Sequence, residues 1–291
     1  MHKTYYSIAE HIFCIEYQTD EIDELLPSYI PFKIETGAST PLFTITLDSS
    51  ISPAWEGVHL GYFPSDAANF NVYHQAPCDY QILIESYDKE PCAFMQTDRS
   101  NNRVSIAIRG NHTTRAFGLN NAIMLSYTLY TSAHDTLLLH SSVVENGGKG
   151  YCFLGVSGRG KSTHCDLWVK HIPGSTLIND DNPVLRIDCN GTPIIYGSPW
   201  SGKRPVYKKV HYPIGGLTEI EQHSENKIIR QNIPTSFGIM LSSCSTMKFD
   251  KKVHMSICST IGKVLEKVAV HTLQCRPDEE AAQVSSNTLA V

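Results

Sequence analysis

The chain has 291 residues and a formal net charge of −5; 41% of the residues are hydrophobic and 18% charged, which indicates a globular protein of one large or two ordinary domains. The negative charge gives no electrostatic support to nucleic-acid binding, and the nine cysteines form no Cys-x-x-Cys pair of the zinc-ribbon type. No apolar run approaches the roughly 20 residues that cross a bilayer, and the N terminus lacks a signal peptide's apolar core, so we expect a cytoplasmic protein without a membrane partner.

The first part of the chain has the alternating pattern of short strands. Apolar and polar residues alternate at residues 30–35, 42–47, 80–85, 93–97 and 103–108. Residues 98–102 are polar and predict a hairpin connection. We find no catalytic constellation here, and we expect residues 1–130 to form a β-rich N-terminal domain of unknown role.

The pattern then changes to helical spacing. Apolar residues recur every three or four positions over residues 114–132, which predicts an amphipathic helix. A buried strand is expected at residues 136–145, a tight hairpin turn at 146–150 and a second strand at 151–154. Residues 131–291 are expected to form a second, catalytic domain.

The most informative motif follows the strand at residues 151–154. It is Gly155-x-x-x-x-Gly160-Lys161-Ser162, the pattern of a phosphate-binding loop between a strand and a helix. In such a loop, backbone N–H groups and the helix N terminus form an anion site. Lys161 is expected to reach the outer phosphates of ATP, and the Ser162 hydroxyl to bind Mg²⁺. The predicted nucleotide-binding residues are Gly155, Ser157, Gly158, Arg159, Gly160, Lys161, Ser162 and Thr163.

Two adjacent carboxylates, Asp180 and Asp181, end the next apolar strand at residues 175–179. Their side chains point to opposite sides of a strand, so one could face a metal or an attacking hydroxyl while the other orients its neighbours. Further strands are predicted at residues 183–187, 193–196 and 271–275, with helices at 261–268 and 278–284. Residues 285–288 are expected to be a frayed tail.

Three motifs in this order carry a resemblance: residues 140–144, the phosphate loop with Thr163, and residues 177–181. Together they resemble the catalytic domain of HPr kinase/phosphorylase, within the phosphoenolpyruvate-carboxykinase-type kinase superfamily. The similarity covers about residues 137–275 and implies a mixed-sheet P-loop kinase core, an α+β or α/β fold. It also implies Mg-ATP as cofactor and homo-oligomers as a possible assembly.

The resemblance also implies roles for individual residues. His140 matches the family histidine near the transferred phosphate, and Lys161 and Ser162 match the nucleotide lysine and a metal-binding hydroxyl. Asp180 matches the general base toward the substrate hydroxyl, and Asp181 its partner near the metal. The expected reaction is transfer of the γ-phosphate of ATP to a serine-type hydroxyl of a small protein, peptide or metabolite.

One family signature is missing. The family's Glu-Ile-Arg-Gly-Leu-Gly segment, which supplies a metal-binding glutamate, is replaced here by a loop at residues 197–204. Lys203 and Arg204 could clamp a phosphate in that loop, or be solvated cations of a flexible surface segment. Either Asp181 and water complete the metal shell, or activity on the protein HPr is lost.

Of three alternatives to the kinase, the accessory protein and the carboxykinase stay open at this point, and the P-loop ATPase is disfavoured. A nucleotide-binding regulatory or accessory protein would keep the phosphate loop and have little or no transfer activity. A P-loop ATPase would need a long parallel sheet, and few helices separate the strands after residue 175. A carboxykinase would need a carboxylate site rich in Arg and His that we cannot assign.

Overall fold

The computed structural model of the chain describes residues 1–19, 21–35, 40–54, 57–65, 68–76, 79–202 and 204–290. They form an α+β fold with two large mixed sheets. The chain divides into two compact units, residues 1–130 and 131–291. No helix among the described residues is long and apolar enough to span a membrane.

The first unit contains a mixed sheet with a long helix after its last strand. The strands are β1 (His2–Ile8), β2 (His11–Tyr17), β3 (Lys33–Ile34), β4 (Phe43–Leu47), β5 (Val58–Pro64), β6 (Asn69–His74), β7 (Tyr80–Glu85), β8 (Pro91–Asp98) and β9 (Arg103–Ile108). Their order in the sheet is β3–β1–β2–β4–β9–β8–β7–β6–β5. The helices are α1 (Ile22–Leu25) and α2 (His112–Thr131). The Tyr127 hydroxyl of α2 donates to the Ile8 carbonyl at 3.0 Å and so ties the helix to β1.

Most of the sequence predictions for this unit are confirmed. The strands at 42–47, 80–85, 93–97 and 103–108 correspond to β4, β7, β8 and β9, and residues 98–102 connect β8 to β9. The helix predicted at 114–132 is α2. The strand predicted at 30–35 is wrong, because Pro27–Phe32 form a 3-10 helix and only Lys33–Ile34 pair with β1. Two prolines in that segment fix φ and remove N–H donors, which disfavours a paired strand.

The second unit is a mixed sheet with four helices among its described residues. Its strands are β10 (Thr136–Leu138), β11 (Ser141–Asn146), β12 (Lys149–Leu154), β13 (Thr176–Asp181), β14 (Val184–Ile187), β15 (Pro193–Tyr196), β16 (His211–Gln222), β17 (Lys227–Arg230) and β18 (Val270–Cys275). Its helices are α3 (Lys161–His171), α4 (Ile233–Ser242), α5 (Lys251–Leu265) and α6 (Glu279–Leu289). The main order is β10–β14–β15–β16–β12–β11–β13, and β18 pairs with both β16 and β17.

Strand β11 lies between the two strands that matter most for the candidate site. It is antiparallel to β12, which leads into the phosphate loop, and to β13, which ends in the two aspartates. A two-residue turn joins β11 to β12, with Gly147 at φ 58° and Gly148 at φ 76°. Positive φ at both central residues is typical of a type I′ hairpin turn, so the predicted turn is confirmed.

Three sequence predictions for this unit are corrected by the structure. The strand expected at 136–145 is two strands, because the backbone N–H groups of Leu139 and His140 donate to Pro183 and Ser243 instead of continuing the ladder. The helix expected at 261–268 is longer and begins earlier, at Lys251, where the Asp250 carboxylate caps two backbone N–H groups. The tail expected at 285–288 is part of α6.

Helix α6 is anchored to α3 through buried polar contacts. Ser285 is fully buried, and the indole N–H of Trp168 on α3 donates to its hydroxyl at 2.8 Å. The Nε2 atom of His164, also on α3, lies 3.0 Å from the same hydroxyl. The Trp168 ring packs against Phe153 of β12 at 5.6 Å between ring centroids. The helix that follows the phosphate loop is therefore held from two sides.

Candidate functional site

The phosphate loop occupies residues 155–160, between β12 and α3. Gly155, Gly158 and Gly160 have φ values of 133°, 79° and 102°, a region that L side chains rarely adopt. Gly160 is the residue before the first turn of α3, so the loop leads directly into the helix N terminus, where backbone N–H groups favour an anion. Ser157, Gly158 and Arg159 are exposed, as is Thr163 in the first turn of α3. A ligand can therefore reach the loop.

Lys161 is the first residue of α3, and its side chain folds back over the loop. Its Nζ donates to the carbonyls of Gly155 at 2.7 Å and Val156 at 3.3 Å. Burial lowers the pKa of this ammonium, and the charges of Asp181 and Asp180 partly oppose that effect. The result is a partly desolvated cation held against the glycine-rich loop.

Asp180 is a buried charge with several side-chain partners. It is 4% exposed, and its Oδ1 accepts from the hydroxyls of Ser162 at 2.7 Å and Ser142 at 2.5 Å. Its Oδ2 lies 3.2 Å from Nε of Arg204. These contacts place the end of β13 directly against the first turn of α3. The buried charge is stabilised by one cation and two hydroxyl donors.

Asp181 faces a different set of groups. Its Oδ1 lies 3.6 Å from Nδ1 of His140, and the two side chains are 32% and 40% exposed. Burial raises the pKa of the Asp181 carboxyl, while the nearby His140 and Lys161 oppose that shift. A carboxyl with a raised pKa beside an imidazole can accept a proton more readily than an ordinary surface aspartate.

The loop after β15 is ordered by side-chain contacts rather than being a flexible surface segment. Residues 197–200 are buried, and the Asn179 amide donates to the carbonyls of Ser198 at 3.2 Å and Trp200 at 3.3 Å. The backbone N–H of Gly202 donates to the Asp180 carbonyl at 2.7 Å. These hydrogen bonds fix the loop against the strand that carries the aspartates.

Arg204 is not a solvated cation. Its two terminal nitrogens contact the two carboxylate oxygens of Asp166 on α3 at 2.6 and 2.8 Å, a bidentate pair. Its Nη2 also donates to the Ser162 carbonyl at 3.2 Å. The guanidinium thus joins the 197–204 loop, the first turns of α3 and Asp180. Lys203, the other cation predicted to contact phosphate, lies outside the described residues.

The sequence predicted Ser162 and Asp181 as metal ligands, and these two residues have different neighbours in the structure. The Ser162 hydroxyl donates to Asp180 at 2.7 Å, whereas Asp181 lies beside His140. Within the described ranges, no three His, Cys, Asp or Glu side chains form a cluster that could hold a metal ion. Mg²⁺ usually takes one or two carboxylates together with phosphate oxygens and water, so Ser162 and Asp180 fit such an ion beside a nucleotide.

Two residues of this site carried no functional assignment from the sequence. Ser142 lies within the motif at residues 140–144, and its contact with Asp180 follows from the β11–β13 register, in which the two residues are paired. Asp166 lies four residues after Ser162, one helical turn along the same face of α3. Both could be found only once the strand register and the helix start were known.

The comparisons with known proteins identify no family for this chain. A scan against protein-family models found no match, and a search of curated proteins found no relative.

Proposed function

We propose that this chain is a kinase that transfers the γ-phosphate of Mg-ATP to a serine-type hydroxyl of a small protein, a peptide or a metabolite. The observation that carries the proposal is the convergence of Lys161, Ser162 and the aspartate pair beside one glycine-rich loop. A triphosphate cradle, a site for a divalent ion and a carboxylate for the acceptor hydroxyl are the parts that phosphoryl transfer needs.

Charge complementarity supports the triphosphate as ligand. The glycine-rich loop can present backbone N–H groups to an anion, although the Arg159 N–H donates to the Val156 carbonyl at 3.3 Å. The Lys161 ammonium donates to two loop carbonyls, which a phosphate could replace as acceptors. Mg²⁺, when bound with the nucleotide, would neutralise negative charge on the outer phosphates. Lys161 would do the same from the helix side and would favour the charge that develops in the transition state.

The two aspartates have different surroundings, which supports a division of labour. The sequence assigned Asp180 as base and Asp181 to the metal, whereas the contacts favour the reverse. Asp180 is buried against Ser162, the hydroxyl that binds the metal in phosphate loops of this type. Asp181 is more exposed and adjoins His140, so an acceptor hydroxyl could reach it. We infer that Asp181 takes the acceptor proton as the new O–P bond forms and ADP leaves.

The first experiment tests the kinase itself. Label from the γ-phosphate of Mg-ATP would be followed into size-fractionated extract of the source cell, with the wild type, Lys161→Ala and Lys170→Ala. Lys170 is an exposed lysine in the last turn of the same helix and serves as the control for charge. We expect a labelled product with the wild type and Lys170→Ala that Lys161→Ala loses at least about 100-fold, since removing one positioned catalytic group typically costs that much.

The second experiment tests the division of labour once an acceptor is known. Asp180→Asn should raise the Mg²⁺ concentration needed for half-maximal rate. Asp181→Asn should lower kcat by about 10²–10⁴-fold, the usual contribution of a general base, without changing the Mg²⁺ requirement. The opposite pattern would restore the assignment made from the sequence.

One observation favours a second candidate, a nucleotide-binding accessory protein without efficient transfer. The Oδ2 atom of Asp180 already has a cation partner in Arg204, at 3.2 Å, so the carboxylate is neutralised by the protein itself. Such a protein would bind ATP in calorimetry, lose that binding in Lys161→Ala and give no labelled product in any fraction. That result would exclude the kinase and keep the nucleotide site.

A further inference from the structure

A cavity of about 200 Å³ lies beside the phosphate loop and is not used by the transfer chemistry described above. Gly155, Val156 and Arg159 of the loop form one side, and residues 219–222 at the C-terminal end of β16 form the other. The volume is below the roughly 300–1,000 Å³ of sites that enclose a whole drug-sized ligand. The cavity therefore suits one part of a ligand whose other part lies on the loop.

The sheet places this cavity on the opposite flank of the loop from the aspartates. Leu154, the last residue before the loop, pairs with Ser141 of β11 on one side and with Glu219 of β16 on the other. Ser141 pairs in turn with Asp181. An extended ligand that has one end at the aspartates and crosses the loop reaches the cavity with its other end.

The two carboxylates that line the cavity disfavour another phosphate and favour an uncharged group that carries hydrogen-bond donors. Glu219 and Glu221 are two residues apart on one strand, so their side chains leave the same face. Their carboxylates repel polyanions and accept hydrogen bonds from O–H and N–H groups. Burial raises the pKa of Glu219, and the charge of Glu221 adds to that shift.

The loop side of the cavity adds apolar and planar surfaces. Val156 is 64% exposed although it is a large aliphatic residue, and an aromatic ring could cover it. The Arg159 guanidinium is planar and can stack on such a ring. Gln222 donates through its amide to the Gly158 carbonyl at 3.4 Å and so joins the strand end to the loop.

We propose that this cavity binds the nucleoside end of the nucleotide, with Glu219 and Glu221 accepting hydrogen bonds from its hydroxyl and N–H groups. The inference rests on the proposed function, because it needs the triphosphate on the loop. The donors can be the ribose hydroxyls or the N–H groups of the base. Both have the same chemistry toward a carboxylate, and nucleotides that lack one or the other separate them.

The test measures binding of Mg-ATP, Mg-2′-deoxy-ATP, Mg-GTP and Mg-tripolyphosphate by calorimetry. It uses the wild type, Glu221→Ala, Glu219→Gln and the control Glu225→Ala. Glu225 is an exposed acid in the turn after β16 that does not line the cavity, so it matches the loss of charge. A hydrogen bond to a charged group contributes enough that losing it weakens binding by about tenfold.

We expect the wild type and Glu225→Ala to bind ATP at least about tenfold more tightly than tripolyphosphate. Glu221→Ala and Glu219→Gln should lose most of that difference while their tripolyphosphate affinity stays the same or rises slightly. If replacing ATP by 2′-deoxy-ATP weakens binding less in the variants than in the wild type, the ribose hydroxyl is the donor. If the variants change the ratio of the ATP affinity to the GTP affinity, the N–H groups of the base are the donors.

Two other results have distinct meanings. Equal affinity of the wild type for ATP and tripolyphosphate, or variants that keep the full difference, would overturn the nucleoside site and leave the triphosphate site intact. Binding of none of these ligands would overturn the proposed function, and the nucleoside site with it.

Discussion

The contact between α6 and α3 predicts how much the Ser285 hydroxyl contributes to the free energy of unfolding. Replacing Ser285 by Ala removes the hydroxyl that receives the Trp168 indole N–H at 2.8 Å and lies 3.0 Å from Nε2 of His164. All three residues are at most 2% exposed, so no water can replace the hydroxyl without entering the core. Each buried polar group left without a partner costs about 1–3 kcal/mol. Two such groups predict that the free energy of unfolding falls by about 2–6 kcal/mol.

The matched control is the next residue along the helix. Ser286 is 9% exposed, and its hydroxyl donates at 3.2 Å to the Gln283 carbonyl of its own helix. Because Ala has a higher helix propensity than Ser, Ser286→Ala should change the stability by less than about 0.5 kcal/mol. Urea unfolding followed by far-UV circular dichroism and tryptophan fluorescence measures both variants. A loss below about 1 kcal/mol in Ser285→Ala would refute the reasoning, because it falls short of one unpaired buried group.

Three further predictions concern close packing, the aspartate pair and the cysteines. Gly118→Ala should destabilise the first unit by about 1–3 kcal/mol, because the new Cβ would lie 2.5 Å from a backbone oxygen. Gly238→Ala, in open space within α4, should stabilise its helix, and thermal unfolding measures both variants. Since burial raises the pKa of Asp181, the free energy of unfolding should fall as pH rises above the ordinary range of the carboxyl. In urea titrations at pH 4 to 8, Asp181→Asn should make this fall smaller, and an equal fall in the variant and the wild type would contradict the prediction. Burial raises the pKa of Cys152, so a thiol reagent at neutral pH should modify the exposed Cys189 first and reach Cys152 only on unfolding, as peptide mapping would show.

The sequence was most informative where local chemistry alone determines structure. The loop motif predicts glycines that adopt positive φ and a helix that follows them. Gly155, Gly158 and Gly160 have positive φ, and α3 begins at Lys161. The hairpin turn at Gly147 and Gly148 is equally local, since few other residues adopt its backbone angles. These predictions needed no knowledge of distant parts of the chain.

Some of the predictions that failed, or were not made, depend on distant partners. Residues 285–288 are polar and close to the end of the chain, and their helix is held by tertiary contacts such as that of Ser285 with Trp168. Arg204 is paired with Asp166, which lies 38 residues earlier, and spacing along the chain does not indicate that contact. The different surroundings of Asp180 and Asp181 likewise depend on the pairing of β13 with β11, which places Asp180 opposite Ser142.

The position of β11 between β12 and β13 also bears on how this chain can vary in evolution. Strands β12 and β13 carry the loop and the aspartates, and β11 aligns both through pairs such as Ser142 with Phe153 and with Asp180. Strand β13 already has an extra residue opposite β11, between Leu177 and Asn179. A further insertion or deletion that no such bulge absorbs would exchange the faces of every side chain beyond it. The turn at residues 147–148 lies at the far end of the hairpin, where a Cβ atom added at either glycine would meet nothing within 4 Å. Among descendants of this sequence, changes of length should therefore accumulate in that turn and be absent from the three strands.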